Sequence, residues 1–167
     1  MKKILASSFL LISLIGFTQT DSLSVKDQED LEKGLKMLFD SKISMDIDKT
    51  IFTQNEANTY FAEDQRVGIV GMVVPQAYTK MKAKLDEGNK KEGMEVVDKG
   101  ELIIDGQKVL FMKSLTKNED QEFIIMIYSK ENNADSCIMI TSFFEKSKEN
   151  QFKPLVEKAI SSAKLTQ

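Results

Sequence analysis

The chain has 167 residues, of which 41% are hydrophobic and 29% charged, and its formal net charge is −3. It contains one cysteine and no histidine, which excludes Ser-His-Asp and Cys-His catalysis and every histidine-ligated metal site. Its lysines are interleaved with acidic residues and form no basic stripe, which argues against nucleic-acid binding.

The first segment, residues 1–18, is typical of a cleavable signal peptide. Lys2 and Lys3 precede an uncharged, largely apolar stretch of about 14 residues, shorter than the roughly 20 that span a membrane. We expect cleavage after Thr18, and no cysteine lies nearby to carry a lipid anchor. The mature chain then begins at Gln19 with 21 basic and 26 acidic residues, a net charge of −5. The sequence therefore predicts a periplasmic or secreted protein with no membrane span in its mature part.

The mature part, residues 19–167, has the length of a single domain. A chain of this size can bury a sizeable core without disulfides, and its one cysteine, Cys137, forbids an internal disulfide. Because Cys137 opens the apolar run 137–140, we interpret it as a buried small hydrophobe rather than a nucleophile.

The first predicted elements are a helix, a short strand and a turn. Residues 24–39 repeat leucine at helical spacing behind Ser24, which can cap the helix. Residues 43–47 alternate apolar and polar side chains, as a strand does, and residues 55–58 indicate a turn.

The next elements are two strands and a second helix. Residues 59–62 and 67–74 indicate strands, and residues 63–66 indicate a polar turn between them. Pro75 is predicted to open a helix that ends near Gly88, because the first helical position does not need the N–H that proline lacks.

Five strands are predicted in the second half. Residues 94–97 and 101–104 indicate two short strands, and Asp105-Gly106 is a strong signal for a two-residue hairpin. Residues 108–115 are predicted to form the second strand of that hairpin.

The last two strands and a closing helix complete the chain. Residues 122–128 and 137–144 are almost continuously apolar, which predicts strands that are covered on both faces. Residues 149–164 have helical spacing, and Pro154 is expected in the first turn of a helix that becomes regular near Gln151. Because hairpins dominate this half, the predicted fold class is α/β (α+β): a three-layer α/β/α sandwich around a mainly antiparallel sheet.

This order of elements resembles the PsbP/Mog1-like α/β/α sandwich superfamily, which includes small exported bacterial PsbP-related proteins. The resemblance covers residues 58–165. It is carried by the strand 67–74 running into a helix, by residues 100–111, and by the strand 138–144 followed by a helix ending near Leu165.

The resemblance implies a protein that binds other proteins rather than an enzyme. Members of the superfamily include photosystem accessory subunits, nuclear-transport adaptors and chaperones of type VI secretion effectors. The resemblance implies no catalytic residue to carry over, and the metal-binding histidines of some photosynthetic members have no counterpart here.

Two small groups of residues are candidate ligand sites. Asp46 and Asp48, with Asp40 nearby, offer carboxylates to a hard cation, but the glycine and distal glutamate of an EF-hand are missing. We interpret these aspartates as a solvated strand end. Gly68 and Gly71 lack the following Lys-Ser/Thr of a phosphate loop, and they indicate close backbone packing against a helix, or a bulge, instead.

Methionines recur along the predicted strands. Met112, Met126 and Met139 lie mid-strand on successive strands, and core filling is the favoured interpretation. The alternative is a deformable apolar pocket that accepts a peptide or lipid. Four aromatic residues are candidates for an exposed rim: Phe52, Tyr60, Phe61 and Tyr78.

Together these observations favour an exported, non-catalytic protein-binding module whose partner is another protein. Two alternatives stay open: an immunity protein against a secreted toxin, and a carrier of a small ligand or lipid. An enzyme would have to work with carboxylates, serine or lysine alone. We predict no catalytic, cofactor-binding or metal-ligating residue, and no cofactor.

Overall fold

Residues 41–87, 95–118 and 121–166 are described by the computed structural model, and they belong to one compact unit. The predicted signal peptide and the predicted helix 24–39 lie outside them and stay predictions. The described residues form nine strands and two α-helices: β1 (Lys42–Ser44), β2 (Gln54–Glu56), β3 (Thr59–Phe61), β4 (Gly68–Val74), α1 (Tyr78–Glu87), β5 (Glu95–Ile104), β6 (Gln107–Asn118), β7 (Gln121–Asn133), β8 (Ser136–Glu145), α2 (Glu149–Ser162) and β9 (Lys164–Thr166).

Seven of the strands form one sheet in the order β2-β3-β4-β8-β7-β6-β5, and every neighbouring pair is antiparallel. β1 and β9 form a separate antiparallel pair. β8 and β7 lie inside the sheet, and residues 124–130 and 136–142 are buried without interruption. Both faces of these strands are covered, as their continuous apolar sequence predicts. The mainly antiparallel α+β fold expected from the sequence is confirmed.

Two neighbouring residues of β7 show which helix covers which face of the sheet. The hydroxyl of Tyr128 donates to Glu157 Oε1 of α2 over 3.2 Å, and the hydroxyl of Ser129 donates to Met81 Sδ of α1 over 3.4 Å. Successive side chains of a strand point to opposite faces. The two described helices therefore lie on opposite faces, as the predicted sandwich requires.

The main core lies between α2 and the sheet. Phe144 of β8 and Phe152 of α2 are buried, and their ring centroids are 5.8 Å apart. Each aliphatic side chain buried here contributes about 1.5–3 kcal/mol relative to its exposed state. Other members of this core are Ile69, Val73, Val109, Ile124, Met126, Tyr128, Ile138, Ile140, Val156 and Ile160.

The prediction of two strands before the hairpin was wrong. Residues 95–97 and 101–104 belong to one strand, β5, with a β-bulge between Val96 and Asp98, and residue 94 lies outside the described residues. The polar residues around Asp98 separated the two predicted strands because β5 is an edge strand, whose exposed side chains need not be apolar.

The predicted hairpin at Asp105-Gly106 is present. The φ angles of these residues are 49° and 76°, and a type I′ turn requires both to be positive. The turn predicted over residues 55–58 is narrower than expected, because β2 occupies Gln54–Glu56 and only Ala57 and Asn58 connect it to β3.

The start of α1 differs from the prediction. Pro75 does not open the helix but forms a bend with Gln76, whose N–H donates to the carbonyl of Val74 over 2.8 Å. The helix begins at Tyr78 instead. Proline fixes its own φ, but it does not oblige the residues that follow to become helical.

The bounds of α2 also differ from the prediction. The helix begins at Glu149, directly after a 3-10 turn, so that Pro154 lies inside it rather than in the first turn. Proline leaves the carbonyl four residues earlier without its helical donor, which is a smaller disturbance near a helix start than in its middle. α2 ends at Ser162, and Lys164 belongs to β9 rather than to the helix.

Candidate functional site

An open cleft, here called the sheet-end cleft, lies where α1 begins and α2 ends. Its volume is about 820 Å³, within the range of small-molecule sites. Its walls come from α1, the β5–β6 hairpin, the end of β7 and the segment after α2. Six charged residues line it: Lys82, Lys108, Lys130, Lys164, Glu101 and Glu131.

Glu101 is held by three donors on one side of the sheet-end cleft. Its Oε2 accepts from the Tyr78 hydroxyl over 3.2 Å and from Lys82 Nζ over 3.0 Å, and Lys108 Nζ lies 3.8 Å from its Oε1. The hydrogen bond from Lys82 lowers the pKa of Glu101, whereas burial, and then Glu101 itself, raise the pKa of Tyr78. Glu101 is therefore a fixed anion that ties α1 to β5.

Lys130, on the other side of the cleft, is a buried cation. Lys130 as a whole residue is only 6% exposed. Its Nζ donates to Gln107 Oε1 over 3.2 Å and to the carbonyl oxygen of Ser161 over 2.9 Å. Burial lowers the pKa of Lys130, and repulsion from Lys164 lowers it further.

Apolar side chains complete the lining on the α2 side. Ile138 and Ala163 are buried, and Leu165 of β9 is 44% exposed. The cleft thus places ammonium groups beside a small apolar surface.

A second candidate surface is the outer edge of β5, here called the β5 edge. β5 is the last strand of the sheet, and within the described ranges no strand pairs with its outer side. Three of its side chains are large, apolar and exposed: Val96 at 39%, Val97 at 42% and Ile103 at 65%. A long exposed strand edge is a ready template for pairing with another chain.

The aspartates considered as cation ligands serve the fold instead. Asp46 Oδ2 lies 2.8 Å from Lys158 Nζ, and Asp48 Oδ1 accepts from the hydroxyl and the N–H of Thr50 over 2.6 and 3.0 Å. The hydroxyl hydrogen bond is the main reason why the pKa of Asp48 is lowered. Asp40 lies outside the described residues. In the part of the chain that the structure describes, no group of three acidic, cysteine or histidine side chains is placed to hold a metal.

The two glycines of β4 are explained by close packing. A Cβ at Gly68 would lie 2.5 Å from Cε1 of Phe143, and one at Gly71 would lie 3.0 Å from Cε of Met45. Both glycines are closely packed, but against side chains of neighbouring strands and of Met45 rather than against a helix or a bulge.

The three mid-strand methionines do not form one cluster. By the strand register, Met126 shares a face with Ser142 and Lys113, whereas Met112 and Met139 point to the opposite face. Met139 is instead the cross-strand partner of Met72, and both are buried. No methionine is found among the lining residues of the sheet-end cleft. Met126 and Met139 are buried and fill the core, whereas Met112 is half-buried.

The remaining candidates separate according to burial. Cys137 is fully buried, and burial raises the pKa of its thiol, as expected of a small hydrophobe. Of the four aromatic residues proposed as a rim, Phe52 is buried, and only Tyr78 lines the cleft; Tyr60 and Phe61 lie in β3 and are half-buried.

Sequence reasoning missed both candidate surfaces. One signal for the cleft was available, because Lys130 comes two residues after the predicted apolar strand 122–128 and lies within the buried part of β7. The β5 edge was hidden by its interpretation as two separate strands.

Comparison with known proteins adds a likeness of fold. No protein-family model matches the sequence, and no curated protein is significantly similar to it. The structure is similar to LpqN of Mycobacterium tuberculosis, which is involved in cell envelope biogenesis, with 8% identity and a TM-score of 0.50 over 76% of this chain and 84% of LpqN. Cyanobacterial PsbP (CyanoP) from Synechocystis sp. PCC 6803 matches with 10% identity and a TM-score of 0.46, over 89% of this chain and 98% of that one.

These likenesses concern the fold and not the activity. Neither described helix is long and apolar enough to cross a membrane. The chain has a mainly antiparallel α+β fold, as its sequence predicts, and this fold is similar to that of LpqN.

Proposed function

We propose that the chain is an exported, non-catalytic protein-binding module, and that its partner adds an extended segment to the β5 edge. The observation that carries this proposal is the exposed apolar surface of β5. Val96, Val97 and Ile103 are three of the four large hydrophobic side chains that are exposed in the described residues. An added strand would satisfy the outer main-chain groups and cover these side chains.

The charge of β5 indicates what kind of segment fits. Glu95 and Asp98 are exposed acids at one end of the strand. The ammonium of Lys99 is turned away to the last carbonyls of α1, those of Leu85 and Asp86. The unsatisfied charge of the edge is therefore negative. We expect a partner segment that carries basic side chains between apolar ones.

The β-bulge in β5 limits the length of the edge that can pair regularly with a partner. It interrupts regular pairing between Val96 and Asp98, and it leaves the seven residues 98–104 as the regular part of the edge. At about 3.3 Å per residue, this part is about 23 Å long, enough to pair with a short peptide. Bulges are a common protection of sheet edges against indiscriminate pairing, so the edge is suited to one short partner rather than to an extended sheet.

The absence of catalysis is supported by the chemistry of the chain. It contains no histidine, and its one thiol is buried with a raised pKa, which disfavours the nucleophilic thiolate. The exported location rests on the leader 1–18, and it would match the envelope role of LpqN. Mass spectrometry of the protein from its native envelope tests this location: the mature chain should begin within two or three residues of Gln19. A full-length chain in the cytoplasm would contradict export.

Site-specific photocrosslinking tests the docking edge. A photoreactive side chain at Ile103 should crosslink one partner protein in the native envelope, whereas the same group at the exposed Lys117, far along the neighbouring strand, should not. Ile103→Lys should abolish recovery of that partner, and Ile103→Val should retain it. Equal crosslinking from both positions, or crosslinking only to a second copy of this chain, would contradict the proposal.

A further inference from the structure

The sheet-end cleft carries more positive than negative charge, although the whole chain is acidic. Lys82 and Lys108 share the single carboxylate of Glu101. Lys130 and Lys164 form no ion pair with any carboxylate of the described residues. The cleft therefore presents two ammonium groups that have no ion-pair partner among the described residues.

The uncompensated charge is costly at Lys130. Its two hydrogen-bond acceptors, the amide oxygen of Gln107 and the carbonyl of Ser161, are both neutral. The residue is 94% buried, and a buried ammonium without a charged partner is strongly disfavoured. An ammonium has three donors, so one N–H of Lys130 is left beyond these two bonds.

Capping of α2 accounts for only part of this arrangement. Ser161 lies in the last turn of α2, where the helix dipole is equivalent to about half a negative charge. Two cations lie near this helix end, because Lys164 is close enough to Lys130 to repel it. The partial charge of the helix end is therefore shared between two ammonium groups. A protein that needed only a cap would gain nothing from the second lysine.

We propose that the sheet-end cleft binds a small oxyanion, a carboxylate or phosphate group, between Lys130 and Lys164. The ligand's counter-charge replaces the carboxylate that the described residues do not supply, and ammonium groups accept both kinds of oxyanion because they act as point charges. Leu165 beside them is exposed and offers a surface to an apolar part of the ligand. This site does not depend on the partner proposed for the β5 edge.

Calorimetric titration of the purified mature chain tests the proposal. The two probes are inorganic phosphate and octanoate, each compared with chloride at constant ionic strength. We expect saturable binding of at least one probe. Tighter binding of phosphate assigns the site to a phosphate, and tighter binding of octanoate assigns it to a carboxylate with an apolar chain.

Three variants identify where the probe binds. Lys164→Gln and Lys130→Met should each weaken binding about tenfold, the usual value of one charge-assisted hydrogen bond. Lys117→Gln removes the same charge from an exposed site outside the cleft, and it should leave affinity within about twofold. Because Lys164 is exposed, its variant folds even if the core variant does not. No saturable binding of either probe, or equal weakening by Lys164→Gln and Lys117→Gln, would overturn the proposal.

Discussion

Replacing Gly68 with alanine tests the packing that joins β4 to its two neighbours. The added Cβ would lie 2.5 Å from Cε1 of Phe143 and 2.8 Å from two ring atoms of Phe61. These rings already contact each other, with centroids 6.1 Å apart. Carbon atoms pack at about 3.5 Å or more, so the Phe143 ring has to move by about 1 Å.

The expected loss of stability follows from this overlap. Overpacking of a core typically costs about 1–3 kcal/mol, and the better strand propensity of alanine returns less than about 1 kcal/mol. We therefore expect Gly68→Ala to lower the free energy of unfolding by about 1–2 kcal/mol. For a chain of this size, that is a decrease in Tm of about 2–8 °C. Urea denaturation followed by circular dichroism measures the free energy of unfolding. An unchanged m-value would show that the surface exposed on unfolding is the same in both proteins.

A double-mutant cycle separates ring overlap from a general effect of alanine. Phe143→Leu shortens the ring that is overlapped most, so Gly68→Ala should cost at least about 0.5 kcal/mol less in that background. Gly100→Ala is the matched control, because its Cβ would meet only the ring edge of Phe111, at 3.2 Å. If Gly68→Ala is as stable as Gly100→Ala, or if Phe143→Leu gives no relief, the packing described around β4 is incorrect.

Three further predictions concern titration, reactivity and one ion pair. The pKa of Tyr128 is raised, first by burial and then by Glu157. The neutral tyrosine therefore contributes stability that is complete below about pH 10, the pKa of an unfolded tyrosine, and is lost as the pH rises above it. Tyr128→Phe should lose about 1 kcal/mol at pH 7 and show a shallower decline between pH 9 and 11 in urea denaturation. The buried Cys137 thiol, whose pKa is raised, should react with Ellman's reagent at pH 8 only in denaturant. Glu149→Gln should lower the free energy of unfolding by about 1 kcal/mol, because both oxygens of Glu149 lie 2.7 Å from Lys113 Nζ in a half-buried pair.

Each of these three predictions has a contrary result. Equal alkaline slopes for the native chain and Tyr128→Phe would show that the tyrosine titrates normally. Rapid reaction of the native thiol would show that β8 is not buried. The control for the ion pair is Glu122→Gln, whose more exposed carboxylate binds Lys146, and it should change stability by less than about 0.5 kcal/mol. Equal losses in both glutamine variants would show that the half-buried pair has no special strength.

The interior strands of the sheet could be predicted because both of their faces must be apolar. β7 and β8 are covered on both faces, so their residues are apolar at nearly every position and the pattern has one interpretation. The hairpin at Asp105-Gly106 could be predicted for a similar reason, since few residues adopt two successive positive φ angles.

The edge strand and the helix starts were predicted less well because these positions accept many residue types. β5 tolerates polar side chains along most of its length, so that its pattern resembled two short strands. The helices begin at Tyr78 and Glu149 rather than where Pro75 and Pro154 indicated, because a proline only restricts its own φ. The cleft as a whole could not be predicted from Lys130 alone, because its four lysines come from four different elements, α1, β6, β7 and β9.

The stability of the ligand-free protein gives a last test of why Lys130 is buried. If the residue mainly caps α2, Lys130→Met should destabilise the chain by removing the hydrogen bond to Ser161. The lowered pKa of Lys130 shows instead that its surroundings disfavour the charged form relative to water. We therefore expect Lys130→Met to raise the free energy of unfolding by about 1 kcal/mol at pH 7, since an apolar side chain of similar length avoids the cost of desolvation. Urea denaturation of both proteins in chloride buffer measures this difference, and a loss of stability would identify Lys130 as a structural cap. A gain would mean that the protein keeps a destabilising charge, which is the pattern expected of a residue retained for binding.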